Sequence, residues 1–383
     1  MKKVFLTVSD TNQLKGHGAF SRHQRMAEAL VKQGHAVFWI SPPGYEASGV
    51  NIIPLSLSKL PNILFIGLYI KLMVTFIKNY NLFKAVDAVF TIREYDAFCM
   101  LAIPFLRKTP KIFLSRGDAI SILTINKPSN IKIIKKLKTN ISLFVYPFIQ
   151  RVVLKFSDVI VVQAQFLLKL FKDRHNGLNF NGIILKNDCP KNNVNKPIFP
   201  ENYFDPNFKP INLAFISPLW WECKGLGVIV DAIYELEKRN FKYKFHIIGD
   251  GPDKEKMFNS LAKLDSSGRI IGHGWLNNMG KVLDTIDLVI VPSLYDSSPN
   301  LVLEMVALNK PVLASDIDAH KDMLVHNELL FNSENVLDLC DKIELFNSSY
   351  SNQNKIKSLI YERKDKLSFD WDMEFVNIME LTK

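Results

Sequence analysis

The sequence predicts an α/β protein built from two Rossmann-like domains that face one another across a cleft. Three observations carry this expectation. A chain of 383 residues exceeds what one hydrophobic core usually holds. Short runs rich in Val, Ile, Leu and Phe alternate with segments of helical period in both halves. Both periods lapse between Asp188 and Pro210, where Asn, Pro and Lys crowd together as in an interdomain linker. The expected boundaries are 1–190 for the first domain, 191–210 for the linker and 211–360 for the second domain. Residues 361–383, with Trp371, Phe375 and Ile378 on one helical face, are expected to return to the first domain.

Residues 3–8 read as a strand. The opening MKKVFLTVSD carries two lysines, but its apolar run stops at Ser9 and Asp10, too short for a signal-peptide core. A polar, glycine-bearing loop (Asp10 to Gly18) leads to a helix over Ala19–Gln33, with Met26, Ala27, Leu30 and Val31 on one face and Gly34 as its C-terminal cap. Ala36–Ser41 is the next strand, so the chain opens with a βαβ unit that lacks the dinucleotide fingerprint. Further strands are expected at Ala88–Thr91, Lys111–Leu114, Val159–Val162 and Gly182–Leu185.

The second half repeats the pattern. Strands are expected at Asn212–Ile216, Lys244–Ile248, Arg269–Gly272, Leu288–Pro292 and Pro311–Ala314, with helices over Gly225–Arg239 and Asp253–Leu264. Between the last two strands lies Pro299–Leu308, a helix apolar on nearly every side except for Glu304. Ser298 suits its N-cap and Pro299 its first position. The N–H groups of Asn300 and Leu301 then point out of a positively polarised helix end at the carboxyl edge of a parallel sheet, where a phosphate fits. Glu304, one turn deeper, is expected to be buried and to need hydrogen-bond donors. A ribose diol supplies such donors; a structural Arg or Lys, or an exposed stripe, is the alternative.

Charge is uneven. Residues 1–190 hold 26 of the 48 Lys and Arg but 10 of the 38 Asp and Glu. A basic field of this kind suits anionic lipid, acidic substrates or nucleic acid, and no nucleic-acid reader motif accompanies it. Leu60–Ile77 is apolar but broken by Pro61, Gly67 and Lys71, a poor transmembrane span. Ile131–Phe156 interleaves Lys132, Lys135, Lys136, Lys138, Arg151 and Lys155 with apolar residues, as a basic amphipathic helix in a membrane interface would. Ordinary core helices with solvated lysines are the alternative for both. Cys99, Cys189, Cys223 and Cys340 are scattered, and His17, His23 and His273 lack ligand spacing, so neither a disulfide framework nor a metal site is expected, and a reducing cytoplasm fits.

The segment PSLYDSSPNLVLEMVALNKPVLASD (292–316) resembles the nucleotide-sugar domain of GT-B fold glycosyltransferases of the retaining family 4 type (glycosyl transferases group 1). The matching positions are Pro292-Ser293, Asp296, Glu304 after seven intervening residues, and Lys310-Pro311-Val312. Lys224-Gly225, Gly249-Asp250-Gly251-Pro252, Gly274 and Asn187 support the resemblance, as do Gly16, Gly18, Arg22 and Gly34-His35-Ala36-Val37 in the first half. The chain departs from the family in carrying Asp296 where Glu is usual and Ser297 where Gly is usual. It has no Arg near Ser217-Pro218, a longer Trp220-Trp221 loop, and Ser115-Arg116-Gly117-Asp118 where a His often stands.

The resemblance implies a metal-independent, cofactor-free transfer of a sugar from a nucleoside-diphosphate sugar to a glycan acceptor with retention of configuration. That acceptor is expected to be lipid-linked at the inner membrane surface, in surface polysaccharide synthesis by a cytoplasmic, membrane-peripheral enzyme. Lys224 would hold the diphosphate and Asp296 the sugar. Glu304 would bind the ribose, and Arg116 would either take the role of the His that often stands there or supply the charge of the missing Arg. Gly18, Ser217, Gly274, Trp275, Asn300 and Leu301 would line the donor site, with Gly274 and Trp275 meeting the base. Either Trp220 or Trp221 would line the acceptor path. The alternatives are a sugar-nucleotide epimerase or phosphorylase on the same fold, or a non-catalytic nucleotide-binding subunit.

Overall fold

The computed structural model describes residues 2–9, 18–42, 46–60, 66–125, 133–189, 210–265, 268–276 and 278–381. The linker expected at 191–210 falls almost wholly outside these, as do Gly16, His17, Pro61, Lys132 and the side chains of Lys135, Lys136 and Lys138. The chain divides into two units: residues 1–120, 128–186 and 370–383, and residues 121–127 and 187–369.

In chain order the first unit runs β1 (Val4–Val8), α1 (Gly18–Lys32), β2 (Ala36–Ser41), β3 (Asn51–Pro54), α2 (Ile66–Lys78), α3 (Tyr80–Phe83), β4 (Ala88–Thr91), α4 (Glu94–Ala102), β5 (Lys111–Ser115), α5 (Ala119–Ile125), whose last residues fall to the second unit, α6 (Ile133–Phe156), β6 (Val159–Val162), α7 (Gln165–Arg174) and β7 (Gly182–Ile184). Its seven strands form one parallel sheet in the order β3-β2-β1-β4-β5-β6-β7. Strands covered on both faces by helices read as continuous apolar runs, and every residue of β4, β5 and β6 is buried. The order reverses between β1 and β4, the doubly wound arrangement.

The second unit runs β8 (Ile211–Ile216), α8 (Leu226–Lys238), β9 (Tyr243–Ile248), α9 (Lys254–Asp265), β10 (Ile270–Gly274), α10 (Gly280–Leu283), β11 (Leu288–Val291), α11 (Asn300–Ala307), β12 (Val312–Ser315), α12 (Asp318–Leu324), β13 (Leu330–Phe331), α13 (Val336–Ser348) and α14 (Tyr350–Leu367). Its parallel sheet has the order β10-β9-β8-β11-β12-β13, so the reversal lies between β8 and β11. One core cluster joins Leu213, Phe215, Ile229, Ile233 and Phe245, and another joins Ala214, Val289, Val302, Val306 and Leu324.

The chain then returns to the first unit as α15 (Trp371–Glu380), which packs on α1. Asp370 caps it through Met373 N–H, and Trp371, Phe375 and Ile378 are all buried. The Trp371 ring stacks on Phe375, while the Arg22 and Arg25 guanidinium carbons lie 4.9 Å from its centroid.

Candidate functional site

The β8–α8 and β11–α11 connections leave the sheet of the second unit on either side of its topological reversal, where open α/β sheets hold ligands. A cavity of about 280 Å³ opens there, lined by Phe215, Ile216, Ser217 and Pro218 from the end of β8, Lys224 from the loop before α8, Val291, Ser293, Asp296 and Ser298 after β11, and Pro299, Asn300 and Leu301 at the start of α11. Five residues expected from the sequence (Lys224, Asp296, Ser217, Asn300 and Leu301) therefore share one wall-to-wall space.

The loop that carries Lys224 is clamped along its length. Ser217 N–H donates to Ile248 C=O, Leu219 N–H to Asp250 C=O, Trp221 N–H to the Asp253 carboxylate and Lys224 N–H to Trp220 C=O. Gly225 takes a left-handed conformation (φ 65°), and a Cβ there would overlap the Pro292 carbonyl oxygen, so only glycine lets the loop close against the end of β11. The same loop separates its two tryptophans. Trp221 packs on the core beneath the Lys256 ammonium, 3.6 Å from its ring, whereas Trp220 is 44% exposed.

Lys224 Nζ donates to Asp296 Oδ2 at 2.9 Å, and Asp296 Oδ1 accepts from Ser298 N–H at 3.1 Å. Burial works to raise the Asp296 pKa. The Lys224 charge and hydrogen bond, the Ser298 N–H and the His320 ring outweigh it and hold the carboxyl below its ordinary value. Among the residues lining the cavity, Lys224 and Asp296 are the charged ones.

Helix α11 begins one residue later than its sequence suggests. Pro299 is the N-cap, with no side-chain cap bond, and Ser298 is not. The Ser298 hydroxyl instead accepts from Asn187 Nδ2, which also reaches Asn300 Oδ1 at 3.1 Å. The first helical bond is Leu303 N–H to Pro299 C=O, so the N–H groups of Asn300 and Leu301 precede it and remain at the positive helix end.

Glu304 is exposed, not buried as expected. The helical period puts positions 300 and 304 on one face, and that face is the outer one; Val302, Leu303, Met305, Val306 and Ala307 take the core side. Partial desolvation alone raises the carboxyl pKa, and among the described residues the carboxylate has no hydrogen-bond or ion-pair partner. It lies one turn below Asn300 and outside the cavity lining.

Gly274 ends β10, two strands away from β8, and Trp275 follows it; neither lines the cavity, Gly274 is left-handed (φ 65°) and Trp275 is 65% exposed. Gly18 and Arg116 belong to the first unit, at the start of α1 and just after β5. Burial, then the neighbouring Arg22 charge, lowers the Arg116 pKa to about 10. Asp118 takes Arg174 as its bidentate partner, with Gln150 completing the buried cluster. Beside it, burial above all raises the Glu94 carboxyl to about 7.

Two residues near the cavity were not anticipated. Ser315 Oγ donates to the Ser293 carbonyl at 2.6 Å, and the fully buried His320 places Nδ1 2.8 Å from the Ser315 carbonyl. Ser315 and His320 meet locally, five residues apart, whereas the neighbouring strands β11 and β12 bring Ser315 to Ser293.

Residues 210–346 match the family model described as glycosyl transferases group 1. Protein CapJ of Staphylococcus aureus is 26% identical over 208 residues, 53% of this chain and 49% of that protein. The UDP-Gal:alpha-D-GlcNAc-diphosphoundecaprenol alpha-1,3-galactosyltransferase of Escherichia coli is 25% identical over 150 residues, 39% of this chain and 38% of that protein. The chain thus matches half or less of the length of these relatives. Among solved structures, sucrose-phosphate synthase from Thermosynechococcus elongatus superposes with a TM-score of 0.70 at 13% identity, covering 99% of this chain and 98% of that one. HepE from Anabaena in complex with UDP does so with a TM-score of 0.65 at 14% identity, covering 99% of each chain. Residues 210–346 are therefore a glycosyl transferases group 1 domain, within a chain that has the two-Rossmann GT-B fold.

Proposed function

We propose that the protein transfers a sugar from a nucleoside-diphosphate sugar to a glycan acceptor. The observation that carries this reading is the cavity at the β8/β11 reversal, where the Lys224 ammonium and the open N–H end of α11 converge. Breaking the anomeric C–O bond puts charge on the leaving diphosphate, and a fixed cation and helix-end dipoles aimed at that charge lower the barrier. Lys224 and the Asn300 and Leu301 N–H groups take this role. Asp296 accepts hydrogen bonds from the sugar, Glu304 from the ribose, and Gly274 and Trp275 meet the base. Ser217 flanks the phosphates, Gly18 permits close backbone approach, and Arg116 supplies positive charge. A cavity of about 280 Å³ sits just below the range of about 300–1,000 Å³ usual for whole ligands, so it seats part of the donor.

The transfer proceeds with retention and without metal. The leaving phosphate oxygen takes the proton of the incoming hydroxyl on the face it departs from, so no protein base is required. The acceptor is a lipid-linked glycan of surface polysaccharide synthesis, and the enzyme works at the inner face of the membrane. Ile141, Phe144 and Phe148 are exposed at helical spacing on α6 and are followed on the same side by Arg151 and Lys155, the apolar and basic make-up of an interfacial helix. No described helix is long and apolar enough to cross a membrane. Incubation with candidate nucleotide sugars and a lipid-linked acceptor, with and without EDTA, tests the reading. It predicts a metal-insensitive product whose anomeric configuration matches the donor, and an inverted product or none from any donor contradicts it.

A further inference from the structure

Ser298-Pro299-Asn300-Leu301 is a sequence suited to capping its own helix. With Ser298 as N-cap and Pro299 at the first helical position, the serine hydroxyl would accept from the N–H of Asn300 or Leu301. Those are the two donors assigned above to the leaving diphosphate. A helix end closed by its own serine has nothing left to offer an anion, and this end is not closed. Pro299 has ψ 86°, far from the helical value of about −42°, the helix starts after it, and no side-chain cap bond forms.

Two contacts hold the end in this form. The Ser298 N–H donates to Asp296 Oδ1 at 3.1 Å, an Asx turn that keeps Ser298 in the loop. The Ser298 hydroxyl accepts from Asn187 Nδ2, and the same amide also donates to Asn300 Oδ1 at 3.1 Å. Asn187 is 1% exposed, so its amide depends on such partners. Its segment is anchored from behind: Cys189 N–H donates to Leu367 C=O at 2.8 Å, and Cys189 Sγ donates to Leu303 C=O on α11 at 3.5 Å. All of these residues belong to the second unit.

Resting on the nucleotide-sugar reading above, we propose that Asn187 is a positioning residue that keeps the N-terminal end of α11 uncapped. By engaging the Ser298 hydroxyl, it stops that oxygen from folding onto the Asn300 and Leu301 N–H groups, so both stay open to the diphosphate of the donor. Without Asn187, Ser298 and Pro299 relax to the arrangement their sequence favours, and the cap competes with the ligand. The competition has the strength of one serine cap, a factor of about five in equilibrium.

The test is a double-mutant cycle on Asn187→Ala and Ser298→Ala, read by calorimetric titration with UDP, GDP, ADP and dTDP and by amide hydrogen exchange at Asn300 and Leu301. For the nucleotide that wild type binds most tightly, Asn187→Ala is expected to weaken binding by about fivefold or more. In the Ser298→Ala background, where no hydroxyl is left to form the cap, the same change is expected to weaken binding by less than about twofold. Exchange distinguishes capping from loosening by its sign: without nucleotide, Asn187→Ala should slow the Asn300 or Leu301 amide by about fivefold, whereas a loosened helix end exchanges faster. Unchanged binding in Asn187→Ala, an equal loss in both backgrounds, or faster exchange overturns the inference while leaving the donor site standing. Should Asn187→Ala fail to fold, exchange in wild type decides: both amides are expected to be open without nucleotide and slowed when it is added, and protection of either without nucleotide overturns the inference. No binding of any of the four nucleotides by wild type overturns the nucleotide-sugar reading and this inference with it.

Discussion

Lys224 has two partners to serve: Asp296 when the cavity is empty and, on the proposed function, a diphosphate when it is filled. Lys224→Ala removes the cation from the departing phosphate and strands Asp296, and it is expected to lower kcat/KM by about a hundred- to a thousandfold, as loss of one charge-stabilising donor does. Steady-state assays with a saturating acceptor check this. The buried titratable groups set a pH dependence of stability whose sign follows from their direction. His23 and His320 have pKa values lowered from 6.5 to about 3 and about 4, chiefly by burial. Below 6.5 the unfolded chain therefore binds protons that the folded chain refuses, and stability falls as pH drops through that window. Glu94 does the opposite: its pKa is raised from 4.5 to about 7, so its contribution is full below 4.5 and is lost as pH rises to about 7. Urea midpoints measured across these windows should show His23→Phe flattening the acid limb and Glu94→Gln flattening the limb between 4.5 and 7.

The loops at the carboxyl ends of the strands depend on glycine geometry more than on side chains. Gly225→Ala forces a Cβ into the Pro292 carbonyl at positive φ and is expected to cost more than about 1 kcal/mol, to lower the Tm and to displace Lys224. Loss of nucleotide-sugar stabilisation in a thermal melt would accompany it. On α6, replacing Phe144 and Phe148 by Ser should weaken sedimentation with anionic vesicles without lowering the Tm, because Phe144 is 86% and Phe148 63% exposed. Most strands were legible as apolar runs because both faces of each sheet are covered. β3 and β13 were not: β3 (NIIP) has two apolar residues between Asn51 and Pro54 and exposed ends, and β13 is two residues long. For α11 the pattern gave the helix but misjudged Glu304: an apolar helix with one acid suggests burial, whereas the shared face of Asn300 and Glu304 points outward. The Ser293–Ser315 contact was beyond reach because the pairing of β11 with β12, not sequence spacing, assembles it.

Across the molecule, the C-terminal residues close the unit that the N-terminal residues begin. Trp371 is buried where α15 packs on α1, with Phe375 stacked on it, so Trp371→Ala is expected to cost about 3–5 kcal/mol and to lower the Tm even though it lies far along the chain from the candidate site. The cavity lies in the second unit and the exposed α6 face in the first, each with its own parallel sheet. The central claim is that the cavity between β8 and β11 receives a nucleoside-diphosphate sugar. Thermal unfolding in the presence of a panel of nucleotide sugars tests it most directly, because a ligand held only by the folded state at about a hundred times its Kd adds about 2.7 kcal/mol of stability. The account predicts a rise in Tm with at least one nucleotide sugar that disappears in Lys224→Ala; no rise with any of them, or an undiminished rise in the variant, would contradict it.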